Sequence, residues 1–256
     1  MQRNLRITSL AAIAVAALLS HSAVTPSASA QQWGTLKGKF VFDGPAPAPV
    51  ALRIDKDPEC CKVKHNDESV QVAADGGLAN VVLYVRTPKV AVHPDYEKTA
   101  KDDVVLDNKT CHFEPHIVVV RLTQTLLIKN TDTCGHNTNV APLGDTAINP
   151  LLPPAGEFKH TFRRQQNLPF PVSCNIHPWM KAHVLVRDNP YFAVSAADGT
   201  FEIANLPAGD LEFQAWHEVK GYLEHTGWPK GKFKHSIKAG DNDLGTIKLS
   251  PALFKK

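Results

Sequence analysis

The shortness of the apolar segments is the feature that most constrains the fold of this 256-residue chain. The runs at residues 81–85, 117–120 and 184–186 are rich in β-branched residues, and proline or glycine breaks the chain between them. β-Branched residues favour strands, whereas proline and glycine favour turns. After the first 30 residues, no window of helical length shows an apolar period of 3.6 residues. The sequence therefore predicts an all-β protein, with at most a helical turn or two near residues 95–101.

The first 30 residues have the pattern of a secretory signal peptide. Arg3 and Arg6 precede an apolar stretch over residues 7–19, and small residues ending at Ala30 follow it. This stretch is too short to cross a bilayer, which takes about 20 apolar residues, and no later segment approaches that length. We therefore expect cleavage after Ala30 and a periplasmic or secreted protein that does not span a membrane.

The mature chain is predicted to be nearly neutral. Loss of two arginines from the 28 Lys and Arg residues leaves 26, against 25 Asp and Glu residues. A nucleic-acid-binding protein would carry a basic face or stripe, and the lysines over residues 232–238 form only a small cluster. We therefore expect no nucleic-acid partner.

Turn signals divide the mature chain into three β segments. The N-terminal β segment covers residues 31–105, the central segment residues 106–188, and a further small β-sandwich residues 189–256. Whether the N-terminal segment folds alone stays open at this stage. The expected strands cover residues 34–42, 69–85 with a turn at 75–77, 117–130, 157–163, 171–174, 182–187, 191–195, 200–203 and 210–217.

Five cysteines in an exported chain form an odd set. An oxidising compartment favours pairing wherever geometry allows, so one thiol should be left free, and the neighbours of Cys174 give it a different role. Adjacent cysteines seldom bond each other, so at least one of the first two is expected to pair with one of the next two. The disulfide candidates are Cys60, Cys61, Cys111 and Cys134.

The central segment carries four candidate metal ligands. Cys174, His177 and Met180 lie in one Cys-x-x-His-x-x-Met loop between two predicted strands, and His136 lies upstream. Copper that cycles between Cu(I) and Cu(II) favours a thiolate and two imidazoles in a plane with a weak axial thioether. Zinc would prefer Cys and His without a thioether. The sequence therefore predicts one type 1 (blue) copper ion and a carrier of single electrons.

These residues resemble the cupredoxin family, and the short ligand loop is most similar to that of amicyanin and related plastocyanin- or azurin-type domains. The resemblance runs from residues 125–130 through His136 and Asn137 and the turn at residues 153–156 to the strand at 182–187. It implies a Greek-key β-sandwich, the same four copper ligands, and a redox partner protein. It also implies that Asn137 braces the ligand loop by hydrogen bonds.

The wider layout resembles exported proteins of the methylamine-utilisation type that contain a cupredoxin-like domain. Residues 189–194 and the later Trp216, His217 and Glu218 are part of this resemblance. The C-terminal segment resembles carboxypeptidase regulatory-like or carbohydrate-binding-like sandwiches. This resemblance implies additional small β-sandwich segments beside the cupredoxin-like one.

Several residues are expected to support the copper site. Asn130 and Asn137 are candidates for hydrogen bonds that orient the ligands. Trp179 is expected to shield the metal, and an exposed edge of His177 is expected to be the exit for electrons.

A second metal site is a further hypothesis. It would be built from the N-terminal cysteines with His65, His112 and His116, but if Cys111 forms a disulfide, His112 and His116 are ordinary strand residues. Trp216, His217 and Glu218 are interpreted as structural. The remaining histidines are expected to be surface or strand residues without ligand-like neighbours, namely His160, His183, His225 and His235.

The alternative function comes from a different class of protein. In that hypothesis residues 189–250 bind a glycan or a protein through exposed aromatics such as Tyr222 or Trp228, and the cupredoxin-like unit is a scaffold. Nucleophilic catalysis has little support, because the sequence has no Gly-x-Ser-x-Gly elbow, His-Glu-x-x-His motif or phosphate-binding glycine loop. We therefore expect no enzyme, while a catalytic second metal site stays open.

Overall fold

The computed structural model describes residues 31–255, so the predicted signal peptide lies outside the described residues. Strands dominate this part of the chain, which confirms the all-β prediction. Three short 3-10 turns cover Pro94–Thr99, Pro229–Gly231 and Pro251–Phe254. The strands are β1 (Trp33–Phe42), β2 (Val82–Val85), β3 (Asp103–Lys109), β4 (His112–Glu114), β5 (Ile117–Arg121), β6 (Thr125–Asn130), β7 (His136–Asn137), β8 (Asn139–Val140), β9 (Leu151–Leu152), β10 (Glu157–His160), β11 (Phe170–Ser173), β12 (Lys181–Arg187), β13 (Phe192–Val194), β14 (Thr200–Pro207), β15 (Gly209–His217), β16 (Gly221–Tyr222), β17 (Lys232–Ile237) and β18 (Gly240–Leu249).

Two four-stranded sheets form the central sandwich. Sheet I has the order β10-β6-β3-β4, and sheet II has the order β5-β12-β11-β8. Leu126 and Ile128 of β6 belong to the same buried cluster as Val172 of β11 and Val184 of β12. Because β6 alternates between half-buried and buried residues along its length, only one of its faces contributes to this core. The copper-ligand loop predicted from the sequence lies at one end of this sandwich.

A second sandwich lies against the other face of sheet II. Sheet III has the order β13-β2-β15-β16, with β17 also paired to β15, and sheet IV has the order β14-β1-β18. The N-terminal β1 pairs with both β14 and β18, and β2 pairs with β13 and β15. The predicted segments 31–105 and 189–256 therefore share both sheets, although their boundaries stay predictions.

The uninterrupted apolar runs lie where strands are buried on both faces. In β12, Val184 and Val186 pack in the central sandwich, whereas Leu185 between them packs against Trp216 of sheet III. In β2, Tyr84 packs in the cluster between sheets II and III that also contains Leu185 and Trp216, which we call the interlayer cluster. Leu83, the residue before it, packs in the core of the second sandwich. Successive side chains of a strand point to opposite faces, so a strand between two cores must be apolar throughout.

Two predicted strands are interrupted in the structure. The run 117–130 is divided by a turn into β5 and β6, which belong to different sheets. Gln124 stabilises this turn, since its side-chain oxygen accepts a hydrogen bond from the Arg121 backbone N–H at 3.0 Å. The run 69–85 contains only isolated bridges, between Val72 and Leu78 and between Gly77 and Val41 of β1, before β2 begins at Val82.

No helix among residues 31–255 has the length and hydropathy that a membrane span requires.

Candidate metal centre

The four predicted copper ligands come from two neighbouring parts of the central sandwich. His136 is the first residue of β7, which pairs with β9. Cys174 directly follows β11, and Met180 directly precedes β12, so the ligand loop is the hairpin between these paired strands. The loop is therefore fixed at both ends by the sheet that forms the core.

The side chains of three of these residues converge. Nδ1 of His136 lies 2.9 Å from Nδ1 of His177, and Sγ of Cys174 lies 3.8 Å from the same His177 atom. The ligand atoms of the three residues all lie within 4.8 Å of one another. All three side chains and Met180 are buried, and Met180 belongs to the same apolar cluster as Cys174.

Backbone hydrogen bonds hold the ligand loop in a closed turn. The N–H of Met180 donates to the carbonyl of His177 at 2.9 Å, and the N–H of Cys174 donates to the carbonyl of Met180 at 3.3 Å. The N–H of His177 points at Sγ of Cys174 at 3.4 Å. This contact holds the sulfur atom inside the closed turn, beside the His177 backbone.

Asn137 links the two parts of the site. Its side-chain oxygen accepts hydrogen bonds from the N–H groups of Asn175 at 2.8 Å and Ile176 at 3.2 Å, and its amide donates to Asn149 at 2.6 Å. The structure thus contains the bracing contacts that the resemblance implies for this residue.

Asn130 holds the loop that leads to His136. Its amide donates to the carbonyls of Cys134 at 2.8 Å and Leu152 at 3.0 Å, and its side-chain oxygen accepts from the N–H of Asp132 at 3.0 Å. Asn130 therefore stabilises the loop around the site without touching the candidate ligand atoms.

A carboxylate lies behind each imidazole. Nε2 of His136 lies 2.9 Å from Oδ2 of Asp132, and Nε2 of His177 lies 2.8 Å from Oδ2 of Asp57. These contacts fix both rings with Nδ1 towards the thiol. Burial and the neighbouring His177 lower the pKa of His136, and Asp132 acts in the opposite direction. The lowered pKa favours the neutral imidazole that binds a metal.

The predicted exposed edge of His177 is wrong, because this side chain is 0% exposed. Asp57 covers Nε2, and Trp179 packs beside the ring with a centroid distance of 5.1 Å. The indole N–H of Trp179 in turn donates to the carbonyl of Cys111 at 3.0 Å. A segment of the N-terminal region therefore covers the imidazole that the sequence placed at the surface.

Two disulfides tie this covering segment to the central sandwich. Cys60 bonds to Cys134, Cys61 bonds to Cys111, and Cys174 is the free thiol among the five cysteines. The N–H groups of Cys60 and Cys61 both donate to the carbonyl of Asp57, which closes a turn over the site. We call residues 57–61 the disulfide-held turn. The pairing confirms the sequence inference that at least one of Cys60 and Cys61 bonds to Cys111 or Cys134, and it shows that both do.

The donor set fits copper. A buried thiol that no disulfide consumes, two imidazoles with facing Nδ1 atoms and a buried thioether are the ligand types of a type 1 site. Two nitrogens 2.9 Å apart can both lie about 2 Å from one ion, a usual metal–imidazole distance. The copper-ligand roles themselves stay a prediction from the donor set.

The second predicted metal site is not assembled as the sequence suggested. Cys60, Cys61 and Cys111 are consumed in disulfides. His65 and His112 pack against each other with a centroid distance of 4.6 Å and their ring planes tilted by 41°, and both contact Thr110. This explains the difference, because each of these imidazoles already has a hydrogen-bond partner in the protein.

His116 instead belongs to a cluster that the sequence did not indicate. Its Nε2 lies 2.5 Å from Oε1 of Glu218, its Nδ1 lies 3.4 Å from Oε2 of Glu68, and Nδ1 of His183 lies 3.9 Å from Oε2 of Glu218. Burial alone would lower the pKa of His116, but the two carboxylates raise it to about 9. Burial lowers the pKa of His183 to about 4. The expectation that His183 has no ligand-like neighbour is therefore wrong.

The aromatics of the alternative binding hypothesis differ in exposure. Trp228 is half-buried and stacks on Phe233 with a centroid distance of 4.0 Å, so Phe233 covers one face of its ring. Tyr222 is exposed. Trp216 is buried in the interlayer cluster, which agrees with its structural interpretation.

Neither a protein-family model nor a curated protein sequence matches the chain. Among solved structures, the chain is similar to a copper-containing nitrite reductase from Thermus scotoductus, at 21% identity and a TM-score of 0.30, over 33% of this chain and 22% of the reductase. It therefore spans about a fifth of that protein. It is also similar to a reduced mutant of amicyanin, at 19% identity and a TM-score of 0.31, over 41% of this chain and 98% of amicyanin. A purple cupredoxin from Nitrosopumilus maritimus matches at 21% identity and a TM-score of 0.28, over 34% of this chain and 99% of the cupredoxin.

Proposed function

We propose that the protein is an exported carrier of single electrons that holds one type 1 copper ion on His136, Cys174, His177 and Met180. The observation that carries this proposal is the convergence of two buried Nδ1 atoms on the one thiol that no disulfide consumes. Bound copper would supply a one-electron couple between Cu(I) and Cu(II). The chain acts as a carrier in this proposal, with no catalytic step of its own.

The surrounding residues keep the ligand positions the same in both oxidation states. Asn137 ties the ligand loop to the strand that carries His136, and the closed turn fixes Cys174 relative to Met180. Burial of all four ligands excludes water from the site. A site that cannot rearrange and holds no mobile water loses little energy to reorganisation when an electron arrives or leaves.

The partner is proposed to be a redox protein that contacts the layer over His177. That layer consists of Asp57, whose side chain is 50% exposed, and the half-buried Trp179. Both lie in direct contact with the His177 ring and reach the surface, so they connect the ligands to a position that a partner can contact. The predicted signal peptide supports a periplasmic or secreted location for this exchange.

Copper titration of the mature, disulfide-intact, metal-free protein tests the proposal. We expect one bound copper per chain and, after oxidation, an intense thiolate-to-copper band with the matching electron paramagnetic resonance signal. Cys174→Ser should abolish the band, whereas Met180→Leu should keep copper and the band while the reduction potential changes. A band that survives in Cys174→Ser, or a wild-type protein without one, contradicts the assignment.

A further inference from the structure

A second cluster of metal-ligand side chains lies outside the proposed copper site, where sheet II meets the end of β15. His116 directly precedes β5, and His183 lies on β12, the parallel neighbour of β5. The N–H of His183 donates to the carbonyl of His116 at 2.9 Å, so the sheet itself fixes the spacing of the two residues. Glu218 follows β15 of sheet III and reaches both imidazoles.

We propose that His116, His183 and Glu218 bind a second divalent transition-metal ion of the zinc type. Their ligand atoms all lie within 4.8 Å of one another. One carboxylate oxygen of Glu218 lies 2.5 Å from Nε2 of His116, and its other oxygen lies 3.9 Å from Nδ1 of His183. Two imidazoles and one carboxylate are a ligand set used by zinc and by other first-row divalent ions.

The unpartnered nitrogen of His183 supports a metal rather than a simple ion pair. Nδ1 of His183 is buried and has no hydrogen-bond partner within the described part of the chain. A buried polar atom without a partner is costly, and a metal ion in front of it would use its lone pair. An ion pair between His116 and Glu218 alone leaves this atom unsatisfied.

Glu68 adds a feature that is common behind metal-bound histidines. Its Oε2 lies 3.4 Å from Nδ1 of His116, on the side of the ring opposite Glu218. The contact is electrostatic, because Nδ1 of His116 has no hydrogen-bond partner within the described part of the chain. A carboxylate behind the outer nitrogen still increases the basicity of an imidazole as a ligand. The charges also favour a cation, because two carboxylates face one imidazole that can carry a single positive charge.

The cluster opens onto a cavity of about 550 Å³. The three proposed ligands line it together with Pro178 and Trp179 of the copper-ligand loop. Three protein ligands leave a tetrahedral ion one open position, and in zinc enzymes water or substrate occupies it. The open position of this site would face the cavity.

Zinc counting on the mature chain tests the proposal. After equilibrium dialysis against micromolar Zn²⁺, Glu218→Gln and His183→Asn should each retain one zinc fewer than the wild type. Glu68→Gln should keep the ion but bind it about 10- to 100-fold more weakly. His112→Asn is the matched control, since His112 lines the same cavity without belonging to the ligand set, and its count should equal that of the wild type.

The copper site is tested separately by the same series. Cys174→Ser should keep the zinc that depends on Glu218, so failure of the copper proposal and failure of this one give different results. Anomalous diffraction at the zinc absorption edge from wild-type crystals soaked in Zn²⁺ needs no variant, and should show a peak among the three side chains. Absence of that peak, equal counts in wild type and Glu218→Gln, or loss of zinc in His112→Asn would overturn the proposal.

Discussion

Asp57 is the residue with which the copper proposal can be tested quantitatively. Its carboxylate accepts a hydrogen bond from Nε2 of His177 at 2.8 Å, and its side chain is 50% exposed. A negative charge behind a copper ligand stabilises Cu(II) more than Cu(I). Asp57→Asn removes this charge but retains an oxygen that can accept the same hydrogen bond. We therefore expect the reduction potential to rise.

The size of the shift follows from the geometry. The 2.8 Å contact, the imidazole ring and a metal–nitrogen bond of about 2 Å place the carboxylate about 7 Å from the ion. Coulomb's law gives about 2.4 kcal/mol at an effective dielectric constant of about 20, and about 0.6 kcal/mol in water. Since about 2.3 kcal/mol corresponds to about 100 mV for one electron, these limits are about 100 and about 25 mV. The half-exposed position of Asp57 favours about 50 mV.

Protein-film voltammetry of the copper-loaded protein measures this shift. Asp55→Asn is the matched control, because Asp55 lies in the same segment and pairs with Arg53 at 3.0 Å rather than with an imidazole. The control should shift the potential by only a small part of the Asp57→Asn value. An unchanged or lowered potential in Asp57→Asn, with the visible band intact, would refute the coupling between this carboxylate and the copper ligand.

Three further predictions concern stability in urea. Asn137→Ala leaves two N–H groups of the ligand loop without their acceptor. This change should lower the free energy of unfolding of the metal-free protein by about 3 kcal/mol. A loss below about 0.5 kcal/mol would contradict the bracing role of Asn137. Replacing Cys61 and Cys111 together by serine opens a disulfide that spans 50 residues, and should cost about 4 kcal/mol. Equal stability of the oxidised wild type and this double variant would count against that estimate. Leu185→Ala should lower the free energy of unfolding by about 3 kcal/mol, because this side chain is fully buried between the two sandwiches. Leu143→Ala, at an exposed site, should lower it by almost nothing. Similar losses in the two variants would show that packing between the sandwiches does not contribute to stability at Leu185.

The sequence predicted the strand content well because β-branched runs and turn residues act locally. It predicted β1 and β12 to within one residue, since both are bounded by clear changes in pattern. It did not predict how the layers stack. Burial on both faces makes the run at residues 184–186 apolar throughout, and periodicity alone does not show which core each side chain enters. Pairing of β1 with β18 joins chain ends that no local pattern connects.

The candidate copper ligands could be predicted because three of them lie in one short loop with a distinctive order of residue types. The carboxylates behind the imidazoles could not be predicted as readily. Asp132 lies four residues before His136, so their contact could have been predicted from the local sequence. Asp57 lies 120 residues before His177, so no local pattern indicates their contact. The pair of His183 and Glu218 depends on contact between sheets II and III. Residues that meet only through the tertiary fold leave no spacing signal in the chain.

The two disulfides explain why His177 is buried in the structure although the sequence predicted it at the surface. A short ligand loop at the end of a sandwich would normally face solvent. Here Cys60 and Cys61 each bond to the central sandwich, and together they hold Asp57 against the imidazole. The disulfide-held turn is therefore attached to the central sandwich by covalent bonds rather than by weak surface contacts. Reduction of both disulfides should make His177 accessible to solvent, because the two disulfides hold Asp57 over the imidazole.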